Sequence, residues 1–252
     1  MEGMKRVLSY TRRACDDYQM IKDGDRVAVG VSAGKDSLTL LCALAELKRF
    51  YPNKFELCAI TVDMGFEGAD FTPITQLCDS LGVEYHVIHT QISKVIFETR
   101  KEKNPCSLCA KMRRGALYSY ASEIGFNTVA LGHHFDDVVE TFMLNLFYEG
   151  RLGCFQPVTY LSHTGVTLIR PMIYMPEKDV RYFASKSALP VCKSPCPADG
   201  NTEREQIKQL LRSLERQNKG LRYRIFGAIQ RGEIDGFKYF SRMQGMKDYE
   251  ED

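Results

Sequence analysis

Apolar residues along this chain follow two rhythms. Nearly continuous apolar runs stand at residues 26–31 (RVAVGV), 56–62 (ELCAITV) and 127–131 (NTVAL), and a further strand is predicted at 84–89. Runs of this length, bounded by glycine and polar residues, are the mark of buried strands. Between them, apolar positions recur every three or four residues. Leu38, Leu41, Leu44 and Ala45 define one face of a helix over 37–49. The same spacing predicts helices over 72–81, 108–124 and 136–148, and Gly125 stands where the third should stop. Strand–helix alternation predicts an α/β fold, a mostly parallel sheet with helices on both faces. Strands without polar alternation fit a sheet covered on both sides.

Residues 149–175 break the rhythm with several glycines and prolines, and are expected to form an extended loop or hairpin lying over the sheet. Pro176 opens a helix to about residue 188, since proline is tolerated at a helix start. Residues 194–200 (SPCPADG) read as a rigid turn. A last helix is predicted over 201–217, capped by Asn201 or Thr202, and the acidic tail 247–252 as frayed. The expected organisation is a helical lead (1–25), an α/β domain (26–189) and a helical C-terminal region (190–252).

Composition narrows the class without choosing a partner. The 252 residues are 44% hydrophobic and 26% charged, near the globular average, which argues against a disordered chain. No apolar run reaches the roughly 18 residues of a membrane span. Met1 to Arg13 is basic and polar, with no apolar leader core, so a cytoplasmic protein without a membrane role is expected. Net charge is +2, and only local patches can speak for nucleic acid. Nine cysteines suit a reducing compartment better than a paired disulfide framework.

The chemistry concentrates in four places. The run SAGKDS (residues 32–37) joins a strand to a helix, where backbone amides and the helix dipole favour phosphate. It is neither a Walker A loop nor GxGxxG, having three residues between Gly30 and Gly34 and an aspartate after Lys35. Ser32 and Ser37 offer hydroxyls, Lys35 a charge, and Gly34 a close backbone approach. Asp36 suits a metal or a positioning role. The second place, GHHFDD (residues 132–137), also passes from strand to helix, at the carboxyl edge where open sheets bind ligands. Asp136 and Asp137 suit Mg²⁺, which takes one or two carboxylates plus substrate phosphates. An ordinary aspartate cap is the alternative.

The third place is cysteine. Cys106 and Cys109 form a C-x-x-C ahead of a helix, and Cys192 and Cys196 stand with three residues between them. Spacing alone leaves open a four-cysteine zinc site, a redox pair favoured by Arg113 and Arg114, and an iron–sulfur cluster on three cysteines. The fourth place is a basic stripe: Arg204, Lys208, Arg212 and Arg216 recur every four residues, and Lys219, Arg222 and Arg224 extend it. Residues 201–230 carry seven basic and three acidic side chains, the footprint of a phosphate backbone or of a solvated helix face. Arg100, Lys101, Lys103, Lys111, Arg113 and Arg114 form a second basic cluster around the C-x-x-C.

Two of these motifs carry a family resemblance. SAGKDS resembles the SGGKDS pyrophosphate loop of the N-type ATP pyrophosphatases, with Ala33 in place of a glycine, and GHHFDDVVET resembles their second signature. That resemblance implies an adenine-nucleotide α-hydrolase-like fold and transfer of AMP to an acceptor. Over most of its length the chain further resembles the tRNA 2-thiocytidine synthetases, the TtcA-type branch of the tRNA thiolases. The matching segments run in order from residues 17–27 through CSLCAKMRRG (106–115), LGHHFDD (131–137), NLFYEG (145–150) and IRP (169–171) to Cys196.

The resemblance implies ATP-dependent replacement of a cytidine oxygen by sulfur in a tRNA anticodon loop, with ATP, Mg²⁺ and a [4Fe–4S] cluster. Carried over by position, ATP would meet Ser32, Ala33, Gly34, Lys35, Asp36, Ser37, Val62, Asp63, Gly132, His133 and Asp137. Lys35, Asp137 and Arg113 would be catalytic, and Asp136 and Asp137 would hold magnesium. The cluster would sit on Cys106, Cys109 and Cys196, with Cys192 the competing third ligand. Arg204, Lys208, Arg212 and Arg222 would meet the nucleic acid. The implied partners are tRNA and a sulfur donor, either sulfide or a persulfide-carrying sulfurtransferase, and a homodimer is compatible with them. The same fold also serves small-molecule thiolases and lysidine-type tRNA ligases, and a zinc-stabilised binding module is the non-catalytic alternative.

Overall fold

The two most apolar runs become the centre of a six-stranded sheet. β1 (Asp25–Gly30) and β2 (Phe55–Asp63) pair in parallel, β3 (Glu84–His89) flanks β2, and β4 (Thr128–Ala130) flanks β1. A hairpin of β5 (Val158–Leu161) and β6 (Val166–Ile169) completes the order β3-β2-β1-β4-β6-β5, with β5 the one antiparallel strand. The computed structural model describes residues 3–100, 105–192, 196 and 203–240. The hairpin is a departure from expectation. It extends the sheet through β6, which pairs in parallel with β4, instead of lying over it.

The helices are α1 (Met4–Asp17), α2 (Lys35–Leu47), α3 (Thr72–Leu81), the single turn α4 (Ile92–Lys94), α5 (Pro105–Glu123), α6 (Phe135–Tyr148), α7 (Glu177–Lys186), α8 (Glu203–Gln217) and α9 (Leu221–Arg231). Alternate strand residues point to opposite sheet faces. Ala28, Cys58, Ile60, Val129 and Leu168 meet Leu117, Tyr118 and Ala121 of α5 in one core cluster. α2 packs on β1 and β2 and buries Leu38, Leu40, Leu41, Leu44 and Leu47 completely. Each such leucine contributes roughly 1.5–3 kcal/mol, so the segment that begins at the glycine loop is firmly anchored.

The chain divides into two units, cut elsewhere than composition suggests. The first holds α1–α5, the whole sheet, α7 and the late cysteines; the second holds Phe135–Pro157 with α8 and α9. α1 is no separate lead, because it packs on α2 and α7. α6 belongs with the C-terminal helices: the Phe135 ring lies 4.8 Å from that of Tyr223 and 4.9 Å from that of Phe226. α9 was hidden in the sequence by its arginines; Gly220, at φ 78°, turns the chain between α8 and α9. Lys101, Lys103, Pro195, Asn201, Thr202, most of the 194–200 turn and the acidic tail lie outside the described residues. Among the described residues no helix is long and apolar enough to cross a membrane.

Candidate functional site

β1 has β2 on one side and β4 on the other, and the chain order reverses between β1 and β4. Such a reversal opens a crevice at the carboxyl ends of the strands. Two turns of the first unit meet there: the one after β1, carrying Ser32 to Gly34, and the one after β4, carrying Gly132 and His133. The second turn lies close against the start of α2, the helix that the first turn opens. A methyl group at Gly132 would stand 3.0 Å from the Asp36 carbonyl carbon and 3.0 Å from the Ser37 nitrogen, both backbone atoms. Gly132→Ala should therefore displace the loop. Overpacking of ~1–3 kcal/mol is expected to weaken binding of a non-hydrolysable ATP analogue by about tenfold, and unchanged affinity in titration calorimetry would show that the two turns move independently.

The loop is closed by its own serines. Ser37 Oγ accepts the Ser32 N–H at 3.1 Å and donates to the Gly34 carbonyl at 3.1 Å. Gly34 enters α2 extended (φ −82°, ψ 153°), with no side chain capping the first-turn amides. Those amides and the dipole behind them are what a phosphate binds. Ala33 adopts φ 56°, the left-handed conformation that its missing glycine would have taken freely. The departure from glycine costs about 1–2 kcal/mol without changing the loop's course. The Ala33 carbonyl accepts the Cys192 N–H at 3.1 Å, so the segment leading to the last cysteine is fastened to this loop.

Lys35 stands between two carboxylates. Its Nζ is 2.9 and 3.0 Å from the oxygens of Asp36 and 3.2 Å from Glu177 Oε1. Burial opposes the charge, but the two carboxylates outweigh it and hold the ammonium above the usual lysine range. Asp36 thus positions Lys35 in this state, and His134 Nε2 lies 3.6 Å from the same Oδ1 that Lys35 contacts. Glu177, which also binds Arg181 at 2.8 Å, is a site residue that the sequence did not reveal. Its one signal was its place beside Pro176 at a helix start. At the end of β2, Val62 is half-buried; Asp63 Oδ1 accepts the Gly65 N–H at 2.8 Å, and Oδ2 lies 2.9 Å from His89 Nδ1.

The C-x-x-C is inside a helix, not ahead of one. α5 begins at Pro105, so Cys106 and Cys109 sit at i and i+3 of its first turns with Arg113 at i+7, all on one face. Burial pushes the Cys109 thiol up, the Arg113 guanidinium pulls it down, and Cys196 and Cys106 push it further up. The three sulfurs are therefore electrostatic neighbours around Cys109. Cys192 Sγ lies 3.8 Å from the Pro190 carbonyl. Among the described residues no three His, Cys, Asp or Glu side chains converge on a single ion. A cluster of four irons spreads its thiolates farther apart than one ion does, so neighbouring but non-converging thiols fit it. The helix start and Arg113 supply the positive surroundings thiolates need.

In the second unit the acids of α6 are matched by arginines. Asp136 Oδ1 is 2.6 Å from Arg222 Nη1, and Asp137 Oδ1 is 3.1 Å from Arg204 Nη2. Glu140, only 2% exposed, receives Arg222 at 3.5 Å and Arg204 at 3.6 Å. Burial pushes the Glu140 carboxyl up, Lys208 and the two arginines pull it back, and Asp137 adds to the rise. Part of the basic stripe therefore faces acids of its own unit. Arg204, Lys208 and Arg222 serve α6 in this state, and Arg212 alone of the four has only a long contact, 3.9 Å to Glu205.

The sequence matches the PP-loop domain family over residues 9–215. It is 40% identical over 229 residues to a Teredinibacter turnerae protein named tRNA-cytidine(32) 2-sulfurtransferase, covering 90% of this chain and 76% of that one. A protein of the same name from Geobacter sulfurreducens is 38% identical over 228 residues, 89% of each chain. Among solved structures, the U34-tRNA thiolase NcsA from Methanococcus maripaludis, with its [4Fe-4S] cluster, superposes with a TM-score of 0.73 at 29% identity, over 90% of this chain and 79% of that one. The NH3-dependent NAD synthetase from Campylobacter jejuni, with a TM-score of 0.51 at 16% identity over 100% of this chain and 98% of that one, shares the fold alone.

Proposed function

Since the chain belongs to the PP-loop family and, within it, to the tRNA-cytidine(32) 2-sulfurtransferases, we propose that it is an ATP-dependent, iron–sulfur-dependent tRNA thiolase. Its substrate is a cytidine of the anticodon loop, and its product the 2-thiocytidine. What supports this beyond kinship is that one unit holds a phosphate loop with a charged Lys35, the cysteines Cys106 and Cys109 on one face of α5, and Cys196.

In the first step the base oxygen attacks the α-phosphorus of ATP, and the bond to pyrophosphate breaks. The loop amides and Lys35 hold the phosphates and take up the charge that develops on the leaving group. Gly34 lets the backbone approach, and Gly132 fixes the loop from the neighbouring turn. Arg113 serves Cys109 with its charge and is assigned a second role toward the α-phosphate. Magnesium would enter with the nucleotide, and Asp136 and Asp137 are of the residue type such an ion takes. In the second step sulfur bonds to the activated carbon, and AMP leaves with the former base oxygen. Cys106, Cys109 and Cys196 would hold a [4Fe–4S] cluster, which would supply the sulfur-binding chemistry, so the chain would need no nucleophile of its own. The sulfur enters as hydrosulfide, supplied as such or released from a persulfide carrier by a thiol reductant that leaves with the carrier as a disulfide.

The test is made with anaerobically prepared protein, an unmodified tRNA transcript, ATP and sulfide. Digested RNA is analysed for 2-thiocytidine by mass spectrometry while pyrophosphate is counted. One pyrophosphate per thiolated base is expected. Pyrophosphate release that leaves no sulfur in the RNA would refute thiolation.

A further inference from the structure

The basic side chains of α8 and α9 divide into two sets with different occupations. Arg204 and Arg222 are paired with the carboxylates of α6, and Arg222 is 13% exposed at its side chain. Arg212, Arg216 and Lys219 are exposed, and with Glu215 and Arg222 they line a hollow of about 370 Å³ at the α8–α9 turn. Glu215 is the one acid in that lining, and it is spent on the backbone. Its Oε1 accepts the Gly220 N–H at 2.7 Å and its Oε2 the Arg222 N–H at 3.1 Å. Arg224 ties the same turn down by donating to the Lys219 carbonyl at 3.0 Å and to the Asn218 carbonyl at 3.3 Å. Among the described residues no ion pair engages Arg216 or Lys219.

We propose that this hollow is a clamp for the phosphate backbone of the tRNA, with Arg212, Arg216 and Lys219 as its contacts, and that Arg204 and Arg222 hold the fold instead. The proposal rests on the tRNA thiolase assignment and adds the surface that meets the substrate. The turn is braced from both sides, so its cations are displayed without the entropy cost of ordering a loose loop. An acid inside a cationic hollow would ordinarily repel a phosphodiester. Here both of its oxygens accept backbone amides, which leaves the cations to set the local field. A braced row of exposed cations, two of them without an ion pair and Arg212 with only the long one to Glu205, is an arrangement that can neutralise successive phosphates and release their counterions.

The experiment measures tRNA binding to the full chain across a range of salt. The Arg216→Ala/Lys219→Ala double variant should bind tRNA about tenfold more weakly at low salt. The slope of log affinity against log salt should fall by about 1.5, two phosphate contacts at ~0.7–0.9 each. Its melting temperature should match the wild type. Arg222→Gln should lower the melting temperature by several degrees, because Asp136 and Glu140 lose their shared partner. Wild-type binding that the double variant leaves unchanged, slope included, overturns the clamp and leaves the thiolase assignment standing. Weaker ATP binding with tRNA affinity intact would make the hollow a nucleotide site and likewise overturns the clamp. A wild-type protein that binds no tRNA overturns the assignment and the clamp together.

Discussion

Protein purified without oxygen should carry about four iron and four acid-labile sulfide per chain, and Cys109→Ala should carry neither. Cys109 is the centre of the thiol group, the residue on which Cys106, Cys196 and Arg113 all act. Two thiols on one helix face cannot hold a four-iron cluster, so the third decides the matter. Sequence spacing left Cys192 and Cys196 in competition. Cys192 gives its N–H to the Ala33 carbonyl and its Sγ lies near the Pro190 carbonyl, whereas the Cys196 thiol bears on the Cys109 thiol electrostatically. Cys196→Ser is therefore expected to lose the cluster and Cys192→Ser to retain it, since serine keeps the Cys192 amide that fastens the segment to the loop. Iron and sulfide analysis with the visible spectrum reads all three variants. Retention in Cys196→Ser with loss in Cys192→Ser would reverse the ligand assignment. Stoichiometric zinc with no labile sulfide would end the sulfur mechanism and leave an adenylating enzyme with a structural metal.

Much of this arrangement was legible because local pattern and tertiary role agree. RVAVGV and ELCAITV are apolar on both faces because both faces are covered, and they became β1 and β2 within a residue of their predicted bounds. The glycine loop was legible because Gly34, Lys35 and the serines are types that a phosphate turn needs. What failed to show was pairing at a distance. Glu177 reaches Lys35 only because α7 is brought back onto α2. The arginine spacing of α8 was visible, but spacing along a helix does not say what a face meets. That Arg204 and Arg222 meet the carboxylates of α6 was therefore not visible in their spacing. The C-x-x-C misled by one turn, because Pro105 at the helix start is as good a first residue as any, and it draws both cysteines into α5. Ala33 is the reverse case. Its side chain argues against a left-handed turn, and the anchored strand and helix on either side impose one.

Lys35→Ala should lower kcat/KM for pyrophosphate release by about 10²–10³-fold, the loss expected when one preorganised charge is taken from a developing anion. The effect has two parts that can be measured separately. Lys35 is the positive member of a three-group cluster, and without it Asp36 and Glu177 are left as two carboxylates beside the phosphate site. Ground-state ATP binding suffers from that repulsion, while the chemical step loses the cation that follows charge onto pyrophosphate. Lys35→Arg should recover binding better than turnover, because a planar fork cannot occupy the position of a compact ammonium. The pKa direction fixes the pH behaviour. A lysine raised above its ordinary value stabilises the fold fully below that ordinary value, and the contribution is lost only as pH rises through the raised one. Lys35 is thus charged throughout the neutral range, and no limb of a neutral pH–rate profile should belong to it. Glu177→Gln separates holding from competing. Glu177 competes with the phosphates for Lys35 and also fixes its direction, so the variant should bind ATP a few-fold more tightly and turn it over more slowly. Arg181 loses its partner in the same variant, but it is half exposed and water can replace the carboxylate. If Glu177→Gln left both ATP affinity and kcat unchanged, the carboxylate would be a bystander. The charge on Lys35 would then be set by Asp36 alone.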